Sequence, residues 1–274
     1  MGYGRLPMRL GILSDVHANL HALEAVLGRL AAEGVDSYVC AGDLVGYGPA
    51  PNACVERVAA LPGICVAGNH DLIALGRLTA DACVPLARES LAWTTERLAP
   101  AARAVLEELP ATAATGPVLV AHGSLDDPQE YVRAPEQFAH QLEALALRHP
   151  AAEILVLGHT HAPLAVSQRD GTLLRGGVGT VALPAGDRCL LNPGSVGQSR
   201  ARRPQARAVV LDLARREAAF LEVDYDSRGN RAALRRAGRP ASSSHLSPTL
   251  VARVRRRSLR GLGRRLVRMA TFGS

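Results

Sequence analysis

The feature that most constrains this chain is a juxtaposition that occurs five times: a short apolar run stops at a cluster of polar residues able to ligate a cation. Leu10 to Ser14 runs into Asp15-Val16-His17. Ser37 to Ala41 runs into Gly42-Asp43, and Ile64 to Ala67 into Gly68-Asn69-His70-Asp71. Val118 to Ala121 ends at His122-Gly123-Ser124, and Ile154 to Leu157 at Gly158-His159-Thr160-His161. Apolar runs of this length read as buried strands. Between them Leu20, Leu23, Ala25, Leu27 and Leu30 fall near helical spacing, with Gly34 as a stop. Leu86 to Leu98, Ala101 to Leu109 and Pro135 to Leu147 are further helical patterns. Strand alternating with helix predicts an α/β domain with a largely parallel sheet. Ligands of open α/β sheets bind at the carboxyl ends of the strands. Five clusters far apart in sequence are therefore expected to converge on one edge.

After His161 the pattern changes. Pro163 to Ser167, Arg188 to Leu191, Ala206 to Leu213 and Ala218 to Val223 read as strands without long helices between them. Asp170-Gly171 and Pro184-Ala185-Gly186 supply turns. A second, more antiparallel sheet is expected here.

The charge is divided. The 274-residue chain carries a net +7. Thirteen arginines and no acidic residue lie between Ser227 and Ser274. The first 226 residues hold nineteen basic residues against all 25 acidic ones, a net of −6. The expectation is a folded body over 1–226 and a basic, arginine-rich tail over 227–274, flexible or a short amphipathic helix. Val251, Val254, Leu259, Leu262, Leu266 and Met269 would form the apolar stripe of that helix. A basic amphipathic segment suits an anionic partner, RNA or a membrane surface.

Several classes are disfavoured. No apolar run approaches the ~18 residues of a membrane span. Met1 to Leu10 has no long apolar stretch of the signal-peptide kind, so a cytoplasmic protein is expected. The five cysteines are odd in number and include no C-x-x-C pair, which argues against a disulfide framework or a zinc ribbon. Cys40 and Cys65 read as small buried hydrophobes. His21, His140, His149 and His245 lie outside the clusters and read as surface residues.

Imidazole and carboxylate ligands suit Mn, Fe, Zn, Ni or Co, and no thiolate in the clusters calls for a softer metal. Asp15-x-His17 and His159-x-His161 put two ligands on one side of an extended segment, because alternate side chains share a face. A lone Asp-x-His is more often structural than metal-binding. Five such clusters in sequence, each ending an apolar strand, are not explained that way.

The series D-x-H, G-D, G-N-H-D, H, G-H-x-H resembles the signature of the calcineurin-like metallophosphoesterases. Ser14 to Asn19, Gly42 to Pro49 and Leu191 to Gly197 resemble a small bacterial and archaeal phosphodiesterase branch of that superfamily. The resemblance spans Arg9 to Asp224. It implies a two-sheet α/β/β/α sandwich and a dinuclear centre of two divalent metal ions, manganese first among them. Carried over residue by residue, it assigns Asp15, His17 and His161 to one metal and Asn69, His122 and His159 to the other, with Asp43 bridging. His70 would stand beside the metals as a protonated acid for the leaving oxygen, oriented by a hydrogen bond that it donates to Asp71. The implied reaction is attack of a metal-bridging hydroxide on a phosphate ester.

Two departures bear on substrate. Related protein phosphatases and dinucleoside tetraphosphatases resemble G-D-x-x-D-R-G at the second cluster, whereas this chain has Gly42-Asp43-Leu44-Val45-Gly46-Tyr47-Gly48. The missing arginine and acid favour a diester or another small phosphorylated substrate. Within the closer branch an acidic residue and a glycine often follow the Arg200 position. Ala201-Arg202-Arg203 stand here instead, which puts a substrate contact from that loop in doubt. The rival readings are a phosphomonoesterase acting on a small metabolite, and a nucleic-acid-binding protein with the tail as its arm.

Overall fold

The computed structural model describes residues 9–246. The expected stripe from Val251 to Met269 lies outside the described residues.

In chain order the strands are β1 (Arg9–Leu13), β2 (Ser37–Cys40), β3 (Gly63–Cys65), β4 (Ala113–Thr115), β5 (Val118–Val120), β6 (Ile154–Val156), β7 (Leu164–Ser167), β8 (Gly171–Arg175), β9 (Gly179–Ala182), β10 (Cys189–Asn192), β11 (Ala206–Asp212) and β12 (Glu217–Val223). The helices are α1 (Leu20–Ala32), α2 (Pro51–Ala59), α3 (Asn69–Ala74), α4 (Pro85–Thr95), α5 (Pro100–Glu108), α6 (Pro135–Arg148) and α7 (Ser227–Arg236). Their starts are legible in chemistry. Asn19 caps α1 by accepting from the Ala22 amide at 3.2 Å. Pro51, Pro85, Pro100 and Pro135 each open a helix, where the missing N–H costs nothing.

The strands form two six-stranded sheets, ordered β3-β2-β1-β11-β12-β9 and β4-β5-β6-β10-β7-β8. This differs from one largely parallel sheet followed by an antiparallel one. The parallel strands are split: β1, β2 and β3 lie in the first sheet, and β5, β6 and β10 in the second. Antiparallel strands from the second half of the chain complete the first sheet, and β4 together with β7 and β8 completes the second. Both sheets are mixed, because β10 and β11 insert beside strands laid down much earlier.

Side-chain alternation explains the layering. Leu10 and Ile12 of β1 and Ile154 and Val156 of β6 pack in the layer shared by the two sheets. Leu13 points the other way, to Leu23, Val26 and Leu30 of α1. Leu155 packs with Phe138, Leu142 and Leu145 of α6. Both faces of each central strand are thus covered, so the runs read as continuously apolar. The result is a helix–sheet–sheet–helix sandwich.

The boundary after Asp226 needs correction. Asp226 caps α7 through the Gly229 amide at 2.8 Å. The helix packs on α1, with Asn230 and Leu234 fully buried. Beyond it, Ser199 and His245 form a parallel bridge, and the Leu246 amide donates to the Ser199 carbonyl. The folded body therefore extends to at least Leu246: Arg228, Arg235 and Arg236 of α7 are exposed, while Asn230 and Leu234 face inward. His245 is half-buried, its Nε2 3.0 Å from the Ala201 carbonyl, rather than a plain surface residue.

Candidate metal centre

The carboxyl ends of β1, β2 and β3 meet those of β5, β6 and β10 at one edge of the sandwich. Here the side chains of Asp15, His17 and His161 approach one another closely enough to share one cation. Asp43, His122 and His159 form a second such group. Asn69 joins the second group through Oδ1, 3.1 Å from His122 Nε2. Asp43 stands between the two. Its Oδ2 is 3.7 Å from His17 Nε2 and 3.4 Å from His122 Nε2, while its Oδ1 accepts the His70 amide at 2.8 Å. The oxygen that faces both groups is thus a single one. His70 also reaches chelating distance of His17 and Asp43.

The backbone is forced into place to do this. Asp15, His17, Asp43, His159 and His161 all have φ between 47° and 61°. That left-handed region is sparsely populated by residues with a Cβ and persists only where surroundings impose it. The amides of Asp15 and His17 donate to the carbonyls of Gly42 and Asp43, both at 2.9 Å, locking the first loop to the second. The segment after β10 locks it from the other side: Val196 and Gly197 donate to the carbonyls of Ser14 and Asp15. A Cβ on Gly197 would lie 1.8 Å from the Val16 carbonyl oxygen, so only glycine permits this approach.

The donor arrangement calls for positive charge. His17 Nδ1 lies 3.0 Å from the Val45 carbonyl, and His161 Nδ1 2.9 Å from that of Gln198. Each ring therefore carries its proton on Nδ1. Their Nε2 atoms nevertheless face each other at 3.1 Å. Asp15 Oδ1, buried and without a hydrogen-bond donor among the described residues, lies 3.0 Å from the same His161 Nε2. Three acceptors around one point are stable only if a proton or metal ion sits among them. His122 is similarly fixed by the Ala41 carbonyl at Nδ1. Carbonyls orienting ligand imidazoles in this way are a common second layer of metal sites.

The pKa shifts agree. Burial alone would raise Asp15 and Asp43, but the surrounding imidazoles, His161 foremost for Asp15 and His122 for Asp43, hold both carboxyls below the usual range. Burial would lower His122, yet the Asp43 carboxylate raises it to about 10. Burial lowers His159 to about 3 and His161 to about 4.

One expectation for the third cluster is revised. Burial lowers His70 to about 3 against the pull of Asp43, a direction that works against the protonated form. Asp71 does not orient it. Asp71 Oδ2 accepts the Gly68 amide at 2.9 Å and Oδ1 the Val45 amide at 3.2 Å. The carboxyl is spent on the start of α3, whose first-turn N–H groups favour an acidic residue, and on the loop after β2. Burial, with Asp43 nearby, raises it to about 7. His70 Nδ1 is buried and has no partner among the described residues. It sits so close to Gly46 that a Cβ there would be 2.2 Å away.

The centre opens into a cleft of about 320 Å³. Residues that sequence reasoning did not select line it. Tyr47 packs edge-on against His17, ring centroids 4.8 Å apart. Tyr131 stacks on His159 at 4.0 Å, with the Arg133 guanidinium 4.1 Å from the Tyr131 ring. Arg200 also enters it. Tyr47 had a local signal, the flanking Gly46 and Gly48, and Arg200 only the resemblance of its loop.

A model of the calcineurin-like phosphoesterase superfamily domain matches residues 8–216. The chain belongs to that superfamily. As a calcineurin-like phosphoesterase it is a hydrolase of phosphate esters from a family that uses divalent metal ions. The phosphoesterase is 30% identical over 223 residues to an uncharacterized protein of Methanocaldococcus jannaschii, spanning 79% of this chain and 88% of the relative. It is 37% identical to a metallophosphoesterase from Sphaerobacter thermophilus, with a TM-score of 0.72 over 90% of this chain and 98% of that one. A protein of Pyrococcus horikoshii shares the fold at 21% identity and a TM-score of 0.67, over 86% of this chain and 95% of the other. Among the described residues no helix is long and apolar enough to cross a membrane.

Proposed function

We propose that this phosphoesterase hydrolyses small phosphate diesters at a dinuclear metal centre. Asp15, His17 and His161 would hold one divalent cation and Asn69, His122 and His159 the other, with Asp43 between them. The observation that carries the reading is the opposed pair of Nε2 atoms on His17 and His161, 3.1 Å apart with both Nδ1 atoms committed to carbonyls. Oxygen and imidazole donors in this mixture fit manganese, with iron, zinc, nickel or cobalt as substitutes. Two such cations bound here would withdraw charge from phosphate oxygens and activate water for attack.

The remaining chemistry falls to the chain itself. The left-handed loops hold the ligands in place before substrate arrives, so little reorganisation is left for the reaction. The His70 ring lines the cleft, where it would hold or pass a proton at the leaving oxygen. The diester preference rests on Leu44 to Gly48, which supply no charged side chain where related phosphatases carry an acid and an arginine.

The deciding experiment is hydrolysis of bis(p-nitrophenyl) phosphate and of p-nitrophenyl phosphate by the manganese-loaded protein and after chelation. The expected result is turnover of the diester over the monoester, lost with the metal and restored by it. Full turnover by rigorously metal-free protein would refute the reading.

A further inference from the structure

The cleft contains a cation that the metal-holding set does not explain. Arg200 follows the segment Asn192 to Gly197, which is clamped on the Asp15 loop. Gln198 continues the clamp: its carbonyl meets His161 Nδ1, and its amide donates to Ser195 Oγ at 3.0 Å. Its side-chain amide donates to the Ser243 carbonyl at 3.2 Å. Ser199 and Ala201 are held in turn by the 243–246 segment. Arg200 is therefore carried on a braced loop, and its guanidinium lines the same cleft as His161 and Tyr47.

That guanidinium is poorly satisfied by protein. Among the described residues its Nε is buried without a partner, and its one hydrogen bond is a long one, 3.4 Å from Nη1 to the Thr160 carbonyl. Among the described residues it makes no ion pair. Two carboxylates, Asp15 and Asp43, cannot neutralise two divalent cations, so a guanidinium beside them adds to an excess of positive charge. A half-buried cation next to such a centre is stable only with an anion to face.

We propose that Arg200 is a substrate-binding residue that holds a non-bridging phosphate oxygen on the Asp15–His17–His161 side of the cleft. It takes the place of the arginine that Gly42 to Gly48 lacks, although it comes from a distant loop. Ala201, Arg202 and Arg203 do not prevent this, because Gln198 braces the loop through the Ser243 carbonyl, and Ser199 and His245 brace it through the backbone atoms of Ala201 and Arg203, contacts that do not depend on which side chains follow Arg200. The proposal rests on the metal-centre reading above.

The test is calorimetric titration of the manganese-loaded protein with inorganic phosphate, for the wild type, Arg200→Ala, Arg200→Lys and Arg202→Ala, with metal content measured for each. Arg202 is an exposed neighbour and controls for long-range charge. Loss of a charge-assisted hydrogen bond should weaken phosphate binding about tenfold to a hundredfold in Arg200→Ala. Lysine should restore part of it, since it keeps the charge but not the planar fork. Arg202→Ala should stay within about twofold of wild type. Unchanged binding in Arg200→Ala, an equal loss in Arg202→Ala, or no phosphate binding by the wild type would each overturn the proposal. Should Arg200→Ala lose metal, Arg200→Lys carries the comparison. Arg200-dependent phosphate binding without any ester hydrolysis would leave this assignment standing and defeat the hydrolytic one.

Discussion

His17 and His161, 144 residues apart in sequence, aim their Nε2 atoms at one another across 3.1 Å while each keeps its proton on the far nitrogen. Two lone pairs so placed repel, and the fold holds them there by strained backbone at both residues. The repulsion is relieved by a bound cation. Metal binding should therefore appear as stability: a ligand at about 100 times its dissociation constant adds ~2.7 kcal/mol for each site it fills. Thermal unfolding should move up by several degrees on adding Mn²⁺ to chelated protein. In His161→Ala that gain should shrink to about half. An identical gain in the variant would show that His161 holds no metal.

Asp43 directs one oxygen at both groups of imidazoles and gives the other to the His70 amide. Its removal should therefore affect both cations, whereas removal of Asp15 should affect one. Elemental analysis should find bound manganese nearly abolished in Asp43→Ala and about halved in Asp15→Ala. Equal retention in the two variants would contradict a shared position for Asp43.

His70 has the geometry of either a ligand or a proton carrier. It lies within chelating reach of His17 and Asp43, yet its Nδ1 is unpartnered and the ring lines the cleft. As a proton carrier it should be dispensable for metal and costly for turnover. His70→Ala is expected to keep wild-type metal content and lose ~10²–10⁴-fold in kcat. A drop in metal content would make His70 a ligand.

The polar clusters at the strand ends were legible because ligand chemistry is local: Asp15-x-His17 or His159-x-His161 announces itself within three residues. The convergence of those clusters followed from the parallel strands. The division into two mixed sheets did not, because it depends on where β10 and β11 insert, and their sequences specify only that they are strands. Asp71 shows another limit. Its position beside His70 suggested a catalytic partner, but its carboxyl is captured by two backbone amides that sequence cannot display. Arg200 was obscured for the opposite reason. Its neighbours in sequence are atypical, while its placement is set by Gln198, Ser243 and His245, contacts that exist only once the chain is folded.

The clamp of the Asn192 to Gly197 segment on the Asp15 loop depends on one hydrogen atom. Gly197→Ala would put a methyl group 1.8 Å from the Val16 carbonyl, and one of the two loops must move. Overpacking of this kind costs ~1–3 kcal/mol. The expected result is a lower unfolding temperature together with weaker manganese binding, since the loop carries the carbonyl that orients His161. Gly28→Ala is the control. It meets nothing within 4 Å in the middle of α1 and should stabilise by ~0.5–1 kcal/mol. Destabilisation of the two variants by the same amount would show that the clamp has no special weight.

Two truncations distinguish the folded body from the basic tail. Ending the chain after Asp226 removes α7, whose Leu234 is fully buried against α1, and Leu246, which lines the cleft. Burial of one leucine is worth ~1.5–3 kcal/mol, and the whole helix is lost with it. That truncation should lower the unfolding temperature markedly and reduce hydrolysis of a small diester. Ending the chain after Leu246 removes eight arginines and no acidic residue. It should leave both the unfolding temperature and small-diester hydrolysis as in the full chain. If the tail engages RNA or anionic vesicles, binding should be strong at low salt in the full chain, weaken steeply as salt rises, and be absent after truncation at Leu246. Equal binding by the full and shortened chains would remove any role for the tail as an anion-binding arm, and equal stability of the two truncations would return the boundary to Asp226.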